Sequence, residues 1–171
     1  MIEVIQNFED SLEKSGIPKE LIVFIISLMP ILEIRGGLIA AAVLNVRLAV
    51  ALPICIIGNI LPIPFILLFI KKLLRLFKKT KLLAPLAIKI EQKAEKQSKK
   101  VTRGKELGLL LFVGIPLPGT GGWTGALVAD FLGIRVKYSF VIITLGVILA
   151  GVIMSILTYF VPGLFGFSIK I

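Results

Sequence analysis

The chain contains no histidine and only one cysteine, Cys55, among its 171 residues. Histidine is the commonest general base and a frequent metal ligand, so its absence counts against an enzyme and against a metal centre. A single cysteine cannot form an internal disulfide, and no cluster of cysteines and carboxylates has the spacing of metal ligands. We therefore expect no enzymatic activity, no metal and no cofactor, and we interpret Cys55 as a packing residue.

Charged residues are also scarce. They make up 18% of the chain, whereas 57% of it is hydrophobic, and the mean hydropathy is +1.00. A soluble domain of this size cannot bury so much apolar surface. The sequence therefore predicts an all-α integral membrane protein with a single domain. Acidic residues dominate the first twenty positions, unlike a cleaved leader, so we expect this segment to be retained.

Two apolar runs, Leu48 to Ile70 and Tyr138 to Val161, are long enough to cross a bilayer as helices. Two others are interrupted near their middle. The run from Leu21 to Leu44 is broken by the motif Glu33-Ile34-Arg35-Gly36-Gly37, and the run from Leu107 to Leu132 is broken by Pro118-Gly119-Thr120-Gly121-Gly122. The flanks of each break are too short for a full crossing.

Each interrupted run has two interpretations. It is either one helix with a polar centre or a re-entrant hairpin that enters the membrane and returns to the same side. Pro30 and the paired glycines favour the hairpin, because proline removes a helical hydrogen bond and glycine permits a sharp turn. The sequence thus predicts two units of the same kind, each a re-entrant helical hairpin followed by a transmembrane helix.

The two halves of the chain also share a weak sequence pattern. Arg47 aligns with Arg135, and the same register pairs Gly58 with Gly146, whereas the glycine pairs of the two breaks align only with a three-residue gap. One crossing separates the hairpins, so they enter from opposite faces and the repeats are inverted. The predicted organisation is an amphipathic N-terminal helix (1–16), repeat 1 (17–70), a basic linker (71–105), repeat 2 (106–163) and a C-terminal tail (164–171).

The linker 71–105 holds thirteen Lys or Arg residues and two Glu, a charge of +11, so it accounts for the whole net charge of +10 of the chain. Lysine and arginine accumulate in cytoplasmic loops. We therefore predict that this segment of a cytoplasmic-membrane protein faces the cytoplasm and that both termini lie on the outer side of the membrane. Part of it has the pattern of a basic helix lying beside acidic lipid head groups. Membrane lipids, and not nucleic acid, are therefore the expected partners.

The first break carries two charges, Glu33 and Arg35, that would be costly at membrane depth unless paired or hydrated. They either pin the turn or bind a substrate or coupling ion. Arg35, Gly36 and Gly37 open one half-helix, and Thr120, Gly121 and Gly122 open its counterpart. Helix N-termini and an arginine together suit a phosphate or carboxylate, although the glycines alternatively serve only close helix packing.

Three other polar residues are candidates for coupling or support. Asp130, like Glu33, is an acid that could exchange protons at membrane depth, or it forms a surface pair with Arg135. Asn59 either lines a cavity or bonds a carbonyl freed by a proline.

The motifs E-I-R-G-G at 33–37 and G-I-P-L-P-G-T-G-G at 114–122, with the basic loop between them, resemble the small multidrug export family, a compact relative of the DedA (VTT-domain) superfamily. The resemblance covers about residues 16–162. It implies two opposed re-entrant hairpins and movement of lipids, including recycling of undecaprenyl phosphate. By this resemblance Glu33 and Arg35 match the charged residues of the first hairpin. The tip of the second hairpin is matched by Pro118, Gly119, Thr120 and Gly121.

The chain departs from DedA proteins in one respect: glycines and Thr120 stand where a second arginine is expected, and Arg135 is the candidate substitute. Our leading hypothesis is a transporter that flips an anionic lipid phosphate, with Arg35 and the half-helix ends binding the phosphate and Glu33 coupling a proton or gating the site. A second hypothesis is export of small cationic molecules by Glu33. A third is a non-transporting membrane scaffold. A chain with so few spans is also a candidate for assembly as a homodimer.

Overall fold

A computed structural model describes residues 16–69, 88, 92 and 104–161 of the chain. Every regular element in these residues is helical, which confirms the predicted all-α class. The predicted N-terminal helix, nearly all of the basic linker and the C-terminal tail lie outside the described residues.

The helices are short except for two. They are α1 (Lys19–Leu28), α2 (Glu33–Val43), α3 (Leu48–Ile60), α4 (Lys105–Gly114), α5 (Gly122–Phe131) and α6 (Val136–Ser155), which ends in the π-helical turn Ile156–Phe160. Residues 63–69 are helical as well. We refer to α1 and α2 as the first helix pair and to α4 and α5 as the second helix pair, because the members of each pair contact each other.

Two helical stretches, Leu48–Phe69 and Val136–Phe160, have the length and composition of membrane spans. Their mean hydropathies are 2.3 and 2.8. The second carries a row of exposed apolar side chains spaced three or four residues apart, as a helix needs to face lipid: Val141, Leu145, Ile148, Val152 and Ile156. The two long helices predicted from the sequence are confirmed.

The first interrupted run is not one helix. It stops at Leu28 and starts again at Glu33, so the break is the turn 29–32 and not the motif at 33–37. The cause is Pro30, whose ring disfavours helical backbone at the residue before it, and Met29 is accordingly extended (φ −70°, ψ 138°). The charged motif instead forms the first turns of α2.

The second interrupted run is broken at residues 115–121, between the end of α4 at Gly114 and the start of α5 at Gly122. This break overlaps the motif predicted from the sequence, but it begins three residues before Pro118, and Gly122 belongs to the helix. The paired helices have 10 or 11 residues. At 1.5 Å per residue each is about 15–17 Å long, roughly half the thickness of a bilayer core.

The chain forms two compact units whose borders fall inside the two long helices. Unit 1 comprises residues 1–61 and 148–171, and unit 2 comprises residues 62–147. In unit 1 the first helix pair packs with α3 and with the end of the last span. There the Tyr159 hydroxyl donates a hydrogen bond to the carbonyl of Val46, in the loop between α2 and α3 (3.0 Å).

The connection after α2 has the same local structure as the connection after α5. Asn45 and Gly133 both have positive φ, of 55° and 68°. In each case the amide of the next residue donates a hydrogen bond to the carbonyl five residues earlier. Val46 donates to Ala41 (2.9 Å), and Ile134 donates to Ala129 (3.0 Å). This is a helix C-terminus closed by a left-handed residue, followed by the equivalent arginines Arg47 and Arg135.

Helix packing recurs in the same register. A Cβ on Gly37 would overlap the Ser27 hydroxyl and lie 2.9 Å from Cys55 Sγ, and a Cβ on Gly125 would lie 2.5 Å from Val113 and 3.8 Å from Ile143. The offset from Gly37 to Gly125 equals that from Arg47 to Arg135.

The predicted pairing of Gly58 with Gly146 follows the same offset. Gly58 lies against Phe24 and Ser27 in α1, and Gly146 lies against Leu110 and Val113 in α4. The gapped alignment of the two glycine pairs is therefore replaced by an ungapped one that matches Gly37 with Gly125. The equivalent of Gly37 is a packing glycine inside α5 and not part of the second break.

Gly37→Ala is expected to destabilise the protein, because the added methyl group overlaps Ser27 and Cys55. Overpacking of this kind costs about 1–3 kcal/mol, seen as a lower unfolding midpoint in detergent. Gly151→Ala is the matched control, since its Cβ would meet only ends of flexible side chains at 3.0 Å or more. Adding Ser27→Ala to Gly37→Ala should restore part of the loss. Equal midpoints for Gly37→Ala and Gly151→Ala would contradict the packing described above.

Candidate functional site

Glu33, the first residue of α2, is a buried acid in a strained backbone. Its side chain is 3% exposed and its φ is +51°, a left-handed conformation that is uncommon for a residue other than glycine, asparagine or aspartate. Its amide donates to the carbonyl of Met29 across the turn (3.0 Å). Such strain persists only where the surrounding structure enforces it, and it concentrates at functional sites.

Arg35 follows two residues later and is half-buried. The negative charge of Glu33 attracts the guanidinium group of Arg35. The two charges therefore lie near each other at the start of α2, next to the break and not within it as predicted. A buried carboxylate beside an arginine is partly neutralised, which lowers the cost of burying both.

The two glycines of the first motif have packing roles that are visible in the structure. The Gly36 amide donates to the carbonyl of Leu32 (2.8 Å), and Gly37 is buried against Ser27 and Cys55. The amides of Glu33 and Gly36 thus serve the turn itself. For Gly37 the alternative interpretation, close packing of helices, is the one the contacts support.

The second break is organised by a tight turn over residues 117–120. The Thr120 amide donates to the carbonyl of Leu117 (3.2 Å), with Pro118 and Gly119 in the middle and a φ of +81° at Gly119. Proline followed by a glycine of positive φ is the sequence of a type II turn. The Thr120 hydroxyl contacts the carbonyls of Leu117 (2.9 Å) and Ile115 (3.1 Å), so it holds the turn and closes the end of α4.

Gly121 and Gly122 are both buried at the start of α5. Gly121 has a φ of +136°, which requires glycine, and its carbonyl accepts the Gly125 amide (2.7 Å). The second break therefore contains a turn closed by neutral groups, whereas the first break is followed directly by the two charges of α2. All five predicted residues of this break lie in unit 2, and Glu33, Arg35, Gly36 and Gly37 lie in unit 1.

Asn59 is the most deeply buried of the predicted supporting residues. It is 0% exposed, and neither its amide oxygen nor its amide nitrogen has a hydrogen-bond partner among the residues that the structure describes. Asp130 and Arg135 lie in unit 2, where Asp130 is half-buried near the end of α5 and Arg135 is exposed. The pairing of Asp130 with Arg135 stays a prediction.

Sequence reasoning did not single out two residues that shape unit 1. Ser27 forms the contact with Gly37 and donates to the carbonyl of Val23 (2.8 Å), and Tyr159 bonds Val46. A tyrosine inside an apolar span was a usable signal for the second, since a buried hydroxyl needs a partner. No group of three metal-ligating side chains occurs in the part of the chain that the structure describes.

Residues 33–153 match the family model of the small multi-drug export proteins. This is more than half of the chain, so the protein belongs to that family. With two apolar helices long enough to cross a bilayer, membership of an export family makes the chain a membrane protein. Comparison with curated proteins and with solved structures finds no match. The wider relation to the DedA superfamily stays a prediction.

Glycine is normally less favourable than alanine in a helix, and the left-handed backbone at Glu33 predicts the opposite order at this position. Glu33→Gly should be more stable than Glu33→Ala, by about 1 kcal/mol, because glycine adopts positive φ without a steric penalty. Unfolding midpoints of the two variants in detergent test this. At the exposed position Ala49, inside α3, Ala→Gly should lower stability instead, as in any regular helix. A lower midpoint for Glu33→Gly than for Glu33→Ala would show that Glu33 is not strained.

Proposed function

We propose that the protein transports an anionic lipid phosphate, such as a polyprenyl phosphate, across the cytoplasmic membrane. The phosphate is held at the start of α2 by Arg35 and the positive end of the helix, while the lipid chain remains in the bilayer. Glu33 couples a proton to the movement or gates the site. The export activity in the family's name supports transport in general, and the lipid substrate is our inference from the chemistry of the site.

The observation that carries the proposal is the placement of Glu33 and Arg35. A buried carboxylate in strained backbone and a half-buried guanidinium group stand at the break between two apolar half-length helices. Charges in membrane segments are costly and mark substrate or ion pathways. Arginine binds phosphate through two parallel hydrogen bonds, and a helix N-terminus adds a favourable dipole.

We further propose that both helix pairs are re-entrant and that the two repeats are inverted in the membrane. The paired helices are about half a bilayer long, and the local structure around Arg47 recurs around Arg135. Among the described residues, one span, Leu48–Phe69, lies between the two pairs along the chain. In this topology the loop at Arg47 faces outside, whereas the basic linker and Arg135 face the cytoplasm.

Cysteine labelling tests the topology. Arg47 and Arg135 are both exposed, so Arg47→Cys and Arg135→Cys should react with a membrane-impermeant maleimide from opposite sides, Arg47→Cys from outside. The native Cys55 is fully buried, so the unsubstituted protein should not be labelled and serves as the control. Labelling of both sites from the same side would mean that the second helix pair crosses the membrane, and inverted re-entrant repeats would be excluded.

Flipping of a fluorescent polyprenyl phosphate in liposomes that contain only this protein tests the function. Arg35→Ala should reduce the rate at least about tenfold, since loss of a charged hydrogen bond costs roughly 1.5–3 kcal/mol. Arg35→Lys should restore only part of the rate, because lysine lacks the planar fork. Arg47→Ala, at the exposed arginine, is the control and should flip normally. Normal flipping by a folded Arg35→Ala variant would exclude the proposed phosphate-binding role of Arg35.

The family's name favours a second candidate, export of small molecules that are often cationic. In that case the Glu33 carboxylate is the substrate-binding charge. Drug transport should then be lost in Glu33→Gln and kept in Arg35→Ala, whereas transport of a lipid phosphate should be lost in Arg35→Ala.

A further inference from the structure

The amide of Asn59 is a buried polar group that makes no hydrogen bond to the described part of the chain. The side chain is 0% exposed within α3, and both Oδ1 and Nδ2 lack hydrogen-bond partners there. An amide enclosed without partners is unfavourable anywhere in a protein, and more so at membrane depth, where bulk water cannot replace them. A group of this kind suggests a ligand that is bound during function.

The packing of α2 against α3 indicates where this amide lies. A four-residue connection joins the two helices and they pack on each other, so they run in opposite directions. Gly37 in α2 meets Cys55 in α3. Asn59 is one turn beyond Cys55 on the same face of α3, and Glu33 is one turn before Gly37. The Asn59 amide is therefore level with the first turn of α2, where Glu33 and Arg35 stand.

We infer that Asn59 and the first turn of α2 form one binding site for a singly protonated phosphate monoester. This inference rests on the proposed transport of a lipid phosphate and specifies how the head group is recognised. The amide offers one donor and one acceptor side by side. A hydrogen phosphate offers the complement, because its P–O⁻ accepts from Nδ2 and its P–OH donates to Oδ1.

The charges around the site favour the same protonation state. α2 brings Arg35 and the positive end of the helix, which attract an anion, and it also brings the Glu33 carboxylate, which opposes a second negative charge on the ligand. α3 carries no charged residue, and the charged residues of α1, Lys19 and Glu20, lie at its far end. One negative charge on the phosphate is therefore better matched than two.

Binding of farnesyl phosphate and of its monomethyl ester tests the inference. Both carry a P–O⁻, but the ester has no P–OH to donate to Asn59 Oδ1. The unsubstituted protein should bind the phosphate about tenfold more tightly than the ester, the effect expected of a buried acceptor left without its donor. Asn59→Leu should bind the two compounds equally. A preference that persists in Asn59→Leu would come from the size or the charge of the ligand and not from the amide, and no preference in the unsubstituted protein would exclude the P–OH contact.

Stability without ligand is the second measurement. Asn59→Leu should unfold at a higher temperature than the unsubstituted protein, since leucine removes an amide that has no partner. A lower midpoint would mean that Asn59 has a structural role, and would overturn the inference. Inorganic phosphate distinguishes the source of the ligand. If it binds as tightly as farnesyl phosphate and loses affinity in Asn59→Leu, the site stands and the lipid substrate of the proposed function fails.

Discussion

The contact of Gly37 with Ser27 and Cys55 holds unit 1 together, because three helices meet at that point. The absence of a side chain on Gly37 lets α1 and α3 approach α2 from different directions. This close approach compensates for the shortness of α1 and α2, neither of which has enough residues to be stable in isolation. This contact fixes the position of the first turn of α2 beside α3. It thereby keeps the charges of Glu33 and Arg35 in surroundings where burying a charge is costly.

The second half of the chain solves the same packing problem with different chemistry. Gly125 lies against Val113 and Ile143 where Gly37 lies against Ser27 and Cys55, so a polar contact is replaced by an aliphatic one. The two breaks differ in parallel. The helix that follows the first break begins with a buried acid and an arginine. The turn of the second break is instead closed by the Thr120 hydroxyl and by two glycines of positive φ. The repeated framework thus carries one charged site and one neutral turn.

The sequence was sufficient to predict the features that depend on long stretches of residues. Both spans and the existence of both breaks followed from apolar run lengths, and the equivalence of Arg47 and Arg135 followed from a short match. The exact place of the first break did not, because the effect of Pro30 falls on Met29 and moves the turn ahead of the charged motif. The register of the glycines was also missed, since only the contacts distinguish a packing glycine such as Gly125 from a turn glycine such as Gly121.

The borders of the two units have a consequence for how the chain reaches its final state. Unit 1 combines the first helix pair with residues 148–161, and unit 2 combines the second pair with residues 62–69. Neither half of the sequence therefore holds all of the parts of its own unit. The first helix pair cannot complete its packing until the last span has been synthesised, because the Tyr159 hydroxyl of that span donates a hydrogen bond to the Val46 carbonyl. Unit 1 is therefore complete only when the C-terminal end of the final helix is present.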